Sequence, residues 1–126
     1  MRDALPPYAS SHDLQRAPWL SIVIPFCNEE DNVRPLHEQI VDALDGLGQS
    51  YEVVAVDDGS TDRTLAILET IVKDDVRWKV VALRRNFGQT AAMSAGFDHA
   101  TGDVIVTLDG DLQNDPADIP KLLELI

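Results

Sequence analysis

Cysteine is nearly absent from this 126-residue chain: Cys27 stands alone, so no internal disulfide can form. Such sparing use fits a reducing compartment. Basic residues are scarce as well, ten Lys and Arg against twenty-two Asp and Glu, for a formal net charge of -12. A groove for DNA or RNA needs clustered Lys and Arg, so the balance argues against a nucleic-acid partner. It still admits a small phosphorylated ligand, because a divalent cation bridges carboxylates to phosphates. No run of about eighteen apolar residues occurs, so nothing in the sequence reads as a membrane span. Repeats and low-complexity tracts are missing too. The start lacks the basic and then apolar pattern of a secretory peptide. Residues 1–19, with Asp3, His12, Asp13, Arg16 and three prolines, read instead as a flexible leader. What remains is ordinary for a folded domain: 44% hydrophobic residues, in a length that suits one core.

From Leu20 the pattern alternates between two periods. Short runs rich in Val, Ile and Leu span Leu20 to Pro25, Tyr51 to Val56, Trp78 to Leu83 and Val104 to Leu108. They read as strands buried on both faces. Between them lie helical patterns. Val33, Leu36, Ile40, Leu44 and Leu47 make one apolar stripe, starting near Asn32 as N-cap with Pro35 in the first turn. Leu65, Leu68, Ile71 and Val72 make a second, with Ser60 or Thr61 as the expected cap. A weaker helix is expected from about Thr90 to Ala100, and a fourth from Asp118 with Pro120 in its first turn. Strands and helices in series predict an α/β domain with a mostly parallel sheet over residues 20–126.

In open parallel sheets, ligands sit beyond the carboxyl ends of the strands. Three of those ends are acidic here. Glu29, Glu30, Asp31, Asp57, Asp58, Asp62, Asp109, Asp111 and Asp115 are all expected around one mouth. Such a cluster repels itself unless a cation or ligand donor neutralises part of it. Asp109-Gly110-Asp111 is the sharpest feature. Side chains at i and i+2 of an extended segment leave one face, roughly 7 Å apart. Two carboxylates so placed suit one Mg²⁺ or Mn²⁺ ion, with Gly110 leaving the backbone open and Gln113 offering an amide oxygen. The bland alternative is a solvated acidic turn; the place at a buried strand end, beside two further acidic loops, favours the metal. An EF-hand is excluded, since Asn114 stands at the turn-glycine position and Pro120 at the twelfth.

Asp57 to Asp62 reads as a strand-to-helix turn, bent at Gly59, whose carboxylates either serve only the turn or also accept hydrogen bonds from a ribose or base edge. Pro25 to Glu30 is a strand exit followed by an acidic helix start. Cys27 reads as a small buried residue rather than a reactive one. Arg84, Arg85 and Asn86 either face a diphosphate or pair with the acidic mouth. His12, His37 and His99 lack ligand-like spacing.

The ordered set Ser21-Ile22-Val23-Ile24-Pro25, Asn28-Glu29-Glu30, Val56 to Asp62, Arg85-Asn86-Phe87-Gly88, Gly102-Asp103 and Leu108 to Gln113 resembles family 2 glycosyltransferases. The likeness is strongest to polyprenyl-phosphate sugar transferases of the dolichol-phosphate mannose synthase and undecaprenyl-phosphate glycosyltransferase type. It covers Leu20 to Ile126 and implies a GT-A fold. It also implies inverting transfer from a nucleotide-diphosphate sugar to a lipid phosphate, with Mg²⁺ or Mn²⁺. Carried over by residue, it implies that Pro25, Cys27, Glu29, Val56 and Asp58 line the nucleoside pocket. The same resemblance implies that Asp109, Gly110, Asp111 and Gln113 hold metal and diphosphate. Two positions depart from the family. Cys27 lacks the ring of the tyrosine often found there, and Gly110 replaces the usual alanine, which is expected to loosen the loop.

The resemblance further implies the cytoplasm, or the cytoplasmic face of a membrane, as the location. The family's acceptor-side segments and membrane helices are expected beyond Ile126, so the chain reads as an incomplete enzyme. Leu122, Leu123, Leu125 and Ile126 are then left partly uncovered and favour self-association. The alternatives are a catalytically inactive nucleotide-binding fragment and a sugar-nucleotide nucleotidyltransferase. The latter needs a glycine-rich basic loop after the first strand, where Phe26-Cys27-Asn28-Glu29 stands. A receiver-type signalling module needs its acidic pair after the first strand, whereas here the clusters follow the second and fourth.

Overall fold

Leu20–Phe26 forms the first strand (β1), and its alternation explains its place in the sheet. Successive side chains leave opposite faces of a strand. In β1 both faces are covered: Leu20, Ile22, Ile24 and Phe26 are buried on one, and Val23 with Ser21 on the other. A strand apolar on both sides belongs in the middle of a covered parallel sheet. There it lies. β2 (Tyr51–Asp57) pairs with one edge of β1 and β4 (Val104–Thr107) with the other, while β3 (Trp78–Ala82) pairs with β2. All pairings are parallel, in the order β3-β2-β1-β4. The computed structural model describes residues 17–126. The leader expected over residues 1–19 lies outside the described residues as far as residue 16.

Helices α1 (Val33–Leu44), α2 (Thr64–Asp74) and α4 (Asp118–Leu123) cover the face that carries Leu20, Ile22 and Ile24. The expected stripe of α1 is what packs there, with Val33, Leu36, Ile40 and Leu44 all buried. Each such aliphatic side chain contributes about 1.5–3 kcal/mol of burial. Helix α3 (Gln89–His99) covers the other face, where Ala92 meets Val23, Val54 and Val56.

In its strands and helix caps the structure differs from the sequence expectations in three places. The strands are not all buried on both faces: β3 is half-buried, and β4 alternates, with Ile105 43% exposed. Both are outer strands, and α3 packs over β1 and β2 rather than over β4. The cap of α2 is neither Ser60 nor Thr61. Asp62 Oδ1 accepts from the backbone N–H and the hydroxyl of Thr64, because Ser60 and Thr61 are engaged elsewhere. Asn32 does precede α1, but its own backbone is helical and its amide donates to Glu29 Oε1 (2.7 Å) instead of capping. At the other end of the chain Leu122, Leu125 and Ile126 are exposed, while Leu123 packs against the core.

The amino edge of the sheet holds two buried carboxylates, each fully partnered. Glu52 accepts from Ser21 Oγ (2.6 Å) and Thr101 N (2.7 Å) and pairs with Lys79 Nζ at 2.9 Å. Burial alone would raise its carboxyl; the hydrogen bonds from Ser21, Thr101 and Lys79 outweigh this and lower it. Asp75 meets Arg77 through both carboxylate oxygens and His37 Nε2 at 3.0 Å. Burial opposes its charge, but the hydrogen bonds from Arg77 and His37 hold it down at about 2.

The strand order also fixes where a site belongs. The chain steps outward from β1 to β2 to β3, then returns to place β4 on the far side of β1. The sheet therefore has its switch point between β1 and β4, and the crevice beyond those two carboxyl ends is where ligands bind in such folds.

Candidate active site

The crevice at the switch point is an open cleft of about 250 Å³ lined by Pro25, Phe26, Cys27, Glu29, Asp58, Gln89, Asp109, Gly110 and Asp111. Three turns build it, those after β1, β2 and β4, together with Gln89 at the start of α3.

The first two turns are clasped together. Asn28 sits in the left-handed region at φ 55°, a conformation asparagine tolerates better than most residues. So placed, its Oδ1 accepts from Thr61 N (2.8 Å) and Asp62 N (3.3 Å), and its own N–H donates to Ser60 Oγ. Glu29 N donates to Thr64 Oγ1, Glu30 N to Asp62 Oδ2, and Arg63 N to Glu30 Oε1. The weak desolvation of Asp62 would raise its carboxyl, and the hydrogen bonds from Thr64 and Glu30 more than offset that and lower it. Glu30 and Asp62, expected to face the mouth, are thus spent on the protein's own backbone.

Asp58 is buried at 4% exposure, with Oδ1 accepting from Phe87 N (2.8 Å) and Oδ2 from Gly88 N (3.1 Å). It ties the end of β2 to the turn that starts α3. Gly59 beside it has φ 68°, and a Cβ there would lie 2.2 Å from Asn86 N. Only glycine permits that approach. Asp57 is buried next to them, its Oδ1 without a hydrogen-bond partner among the described residues. Asn86 Nδ2 donates to Cys27 Sγ at 3.1 Å. Arg84 and Arg85 make no ion pair with the acidic mouth among the described residues; they line a separate hollow with Phe87, whose ring lies 4.6 Å below the Arg85 guanidinium.

The third turn carries the paired carboxylates. Strand β4 stops at Thr107, and Gly110 and Asp111 form a turn, so Asp109 and Asp111 share the cleft through a bend rather than an extended segment. Asp109 Oδ1 receives Gln89 Nε2 at 3.4 Å and Asp111 Oδ1 receives Gln113 N at 3.1 Å. The second oxygen of each has no hydrogen bond among the described residues. No group of three His, Cys, Asp or Glu side chains converges there among the described residues. Two carboxylates with free oxygens, and no third protein ligand, fit an Mg²⁺ or Mn²⁺ ion whose shell is completed by phosphate and water. Gly110, expected to loosen this turn, is closely packed. It is buried, and a Cβ on it would come within 2.6 Å of Phe26 Cδ1 and 3.0 Å of the Pro25 carbonyl oxygen. The Cβ direction of Gly110 faces the protein's own β1 exit, while Gly110 itself lines the cleft.

Seven of the nine expected site residues meet in the cleft: Pro25, Cys27, Glu29, Asp58, Asp109, Gly110 and Asp111. Two do not. Val56 is fully buried under α3, since strict alternation along β2 turns it to that face. Gln113 is exposed and lines a different hollow, beside α4. Leu112 between it and Asp111 has φ 66°, which reverses the chain and turns Gln113 away. Phe26 and Gln89 line the cleft unforeseen. Phe26 continues the Ile22–Ile24 alternation, and Gln89 precedes the expected start of its helix by one residue.

Comparisons with known proteins identify the family and the fold. The family model described as Glycosyl transferase family 2 matches residues 21–126. A dodecaprenyl-phosphate galacturonate synthase of Rhizobium johnstonii is 44% identical over 98% of this chain and 37% of its own length. An undecaprenyl-phosphate 4-deoxy-4-formamido-L-arabinose transferase of Edwardsiella ictaluri is 45% identical over 89% of this chain and 35% of its own length. Among solved structures, S. aureus TarS in complex with UDP-GlcNAc superposes with a TM-score of 0.67 at 25% identity, over 84% of this chain and 30% of that one. The chain spans about a third of the length of the curated relatives it matches. The expected GT-A arrangement, a parallel sheet flanked by helices, is the fold observed. No helix among the described residues is long and apolar enough to cross a membrane.

Proposed function

Given that this chain belongs to glycosyl transferase family 2, we propose that it is the donor-binding part of an enzyme that moves a sugar from a nucleotide-diphosphate sugar to a polyprenyl phosphate. Transfer inverts the anomeric centre and requires Mg²⁺ or Mn²⁺ on Asp109 and Asp111. The observation that carries this reading is the convergence of the three strand-end turns on one cleft at the switch point of the sheet. The acceptor class rests on the two relatives, both named for polyprenyl phosphates.

The chain's own residues do three things in this reading. Pro25, Cys27 and Glu29 form the wall against which the nucleoside lies. Asp58 fixes the turn before α3, and its remaining lone pairs are open to the ligand. Asp109 and Asp111 would hold the cation, which would supply Lewis-acid stabilisation of charge on the departing diphosphate. A phosphate monoester has its second pKa near 6 by analogy with phosphorylated side chains. The acceptor is therefore largely ionised at neutral pH, and attack needs no strong general base.

Titration calorimetry with UDP and with GDP, in Mn²⁺ or Mg²⁺ and then in EDTA, tests the donor side. Metal-dependent binding of one nucleotide is the expected result; equal affinity with and without the metal overturns it. Radiolabelled transfer to polyprenyl phosphate, by this chain and by versions that include more of the relatives' length, tests the acceptor side.

A further inference from the structure

We propose that Gln89 is a positioning residue for the divalent cation, its side-chain amide setting the orientation of Asp109 from across the cleft. The inference rests on the reading of the cleft given above. The turns after β2 and β4 share no hydrogen bond with each other among the described residues. Residues 87–89 join them. Asp58 grips the N–H groups of Phe87 and Gly88 at 2.8 and 3.1 Å. Gly59 packs directly against the Arg85–Asn86 backbone, where even a Cβ finds no room. The start of α3 is therefore fixed to the end of β2. Gln89, the first residue of that helix, lines the cleft and brings Nε2 to 3.4 Å from Asp109 Oδ1.

The chemistry follows from which oxygen is held. A donor on Oδ1 sets the plane of the Asp109 carboxylate and leaves Oδ2 for a cation. The amide carries no charge, so it orients the ligand without competing for it as a lysine would. Contacts of this kind are often long before the ligand arrives and tighten afterwards. Outer partners of metal ligands typically change affinity 10–100-fold.

Mn²⁺ binding in the presence of UDP, and separately of GDP, is read from the loss of the free Mn²⁺ electron paramagnetic resonance signal as the chain is titrated in. Gln89→Ala removes the amide; Gln89→Met keeps its length without the donor. Both residues favour helix at this exposed position, so the fold is retained. The expected result is Mn²⁺ binding about tenfold weaker in both variants, with the urea midpoint of unfolding unchanged. Wild-type Mn²⁺ affinity in Gln89→Met overturns the proposal, as does a lowered urea midpoint in both variants, which means general damage to the fold. Wild-type protein that binds nucleotide equally in Mn²⁺ and EDTA overturns the metal reading itself, and this inference with it. The wild-type and variant arms therefore distinguish the two failures.

Discussion

At the amino edge of the sheet, Glu52 faces Lys79, and Asp75 faces Arg77 and His37. At the carboxyl edge, Glu29, Asp58, Asp109 and Asp111 line a cleft with no cation beside them among the described residues. The side chains are of one type and both edges are partly hidden from water. The difference is what neutralises them. Carboxylates at the amino edge are complete within the protein and stabilise it. Those at the carboxyl edge are either bound to backbone N–H groups, as Asp58 and Asp62 are, or left with free oxygens, as Asp109 and Asp111 are. Charge that the fold does not neutralise for itself is charge available to a ligand.

Substitution at the amino edge should give the largest effect and leave binding alone. Glu52→Ala strands Lys79, the Ser21 hydroxyl and the Thr101 N–H together, and should cost about 3 kcal/mol in urea unfolding. Nucleotide affinity of the folded fraction should not change; a loss there would mean that the two edges are coupled. Asp109→Asn or Asp111→Asn should do the reverse. Metal-dependent nucleotide binding should fall by more than the 10–100-fold typical of outer partners, with the urea midpoint unchanged or higher as repulsion is relieved. Unfolding of either variant would show that the pair serves the fold.

Gly110→Ala sits between the two, because its new methyl meets Phe26 of the core at one end of the cleft. It should destabilise by about 1–3 kcal/mol and weaken metal-dependent binding with it. A variant as stable as wild type would mean that the Phe26 ring yields freely. The smallest effect concerns acid. Asp75 is held at about 2 in the folded protein, below the usual 3.9 or so. Its contribution is therefore complete above about pH 4 and is lost as the pH falls through 2. The stability gap between wild type and Asp75→Asn, about 1–2 kcal/mol near neutrality, should close across that window. A gap that stays constant down to pH 2 would show that the ion pair with Arg77 is not its source.

How much of this was legible in the sequence follows from which interactions are local. Runs such as Leu20 to Ile24 announce buried strands because alternation needs no distant partner. The carboxyl ends of those strands announce the cleft because topology sends them to one edge. The arrival of Asp109 and Asp111 in that cleft was legible for the same reason. Gln113 was not, because one left-handed residue, Leu112, turns the chain and defeats counting by twos. Nor could counting tell that Glu30 and Asp62 serve as caps while Asp109 does not. That division depends on two loops more than thirty residues apart in sequence finding each other. Val56 went astray because the resemblance named a position, and only the pleat decides which face that position shows.

The clasp between Asn28 and residues 60–62 has a consequence for anyone re-engineering the protein. Each loop supplies the donors and acceptors that the other lacks, so neither has a defined shape alone. Swapping the β1 loop for that of a relative with another donor sugar would leave Ser60, Thr61 and Asp62 reaching for absent partners. The unit of exchange is the pair: residues 27–30 and 59–64 must be transplanted together, or the graft inherits two disordered loops in place of one new specificity.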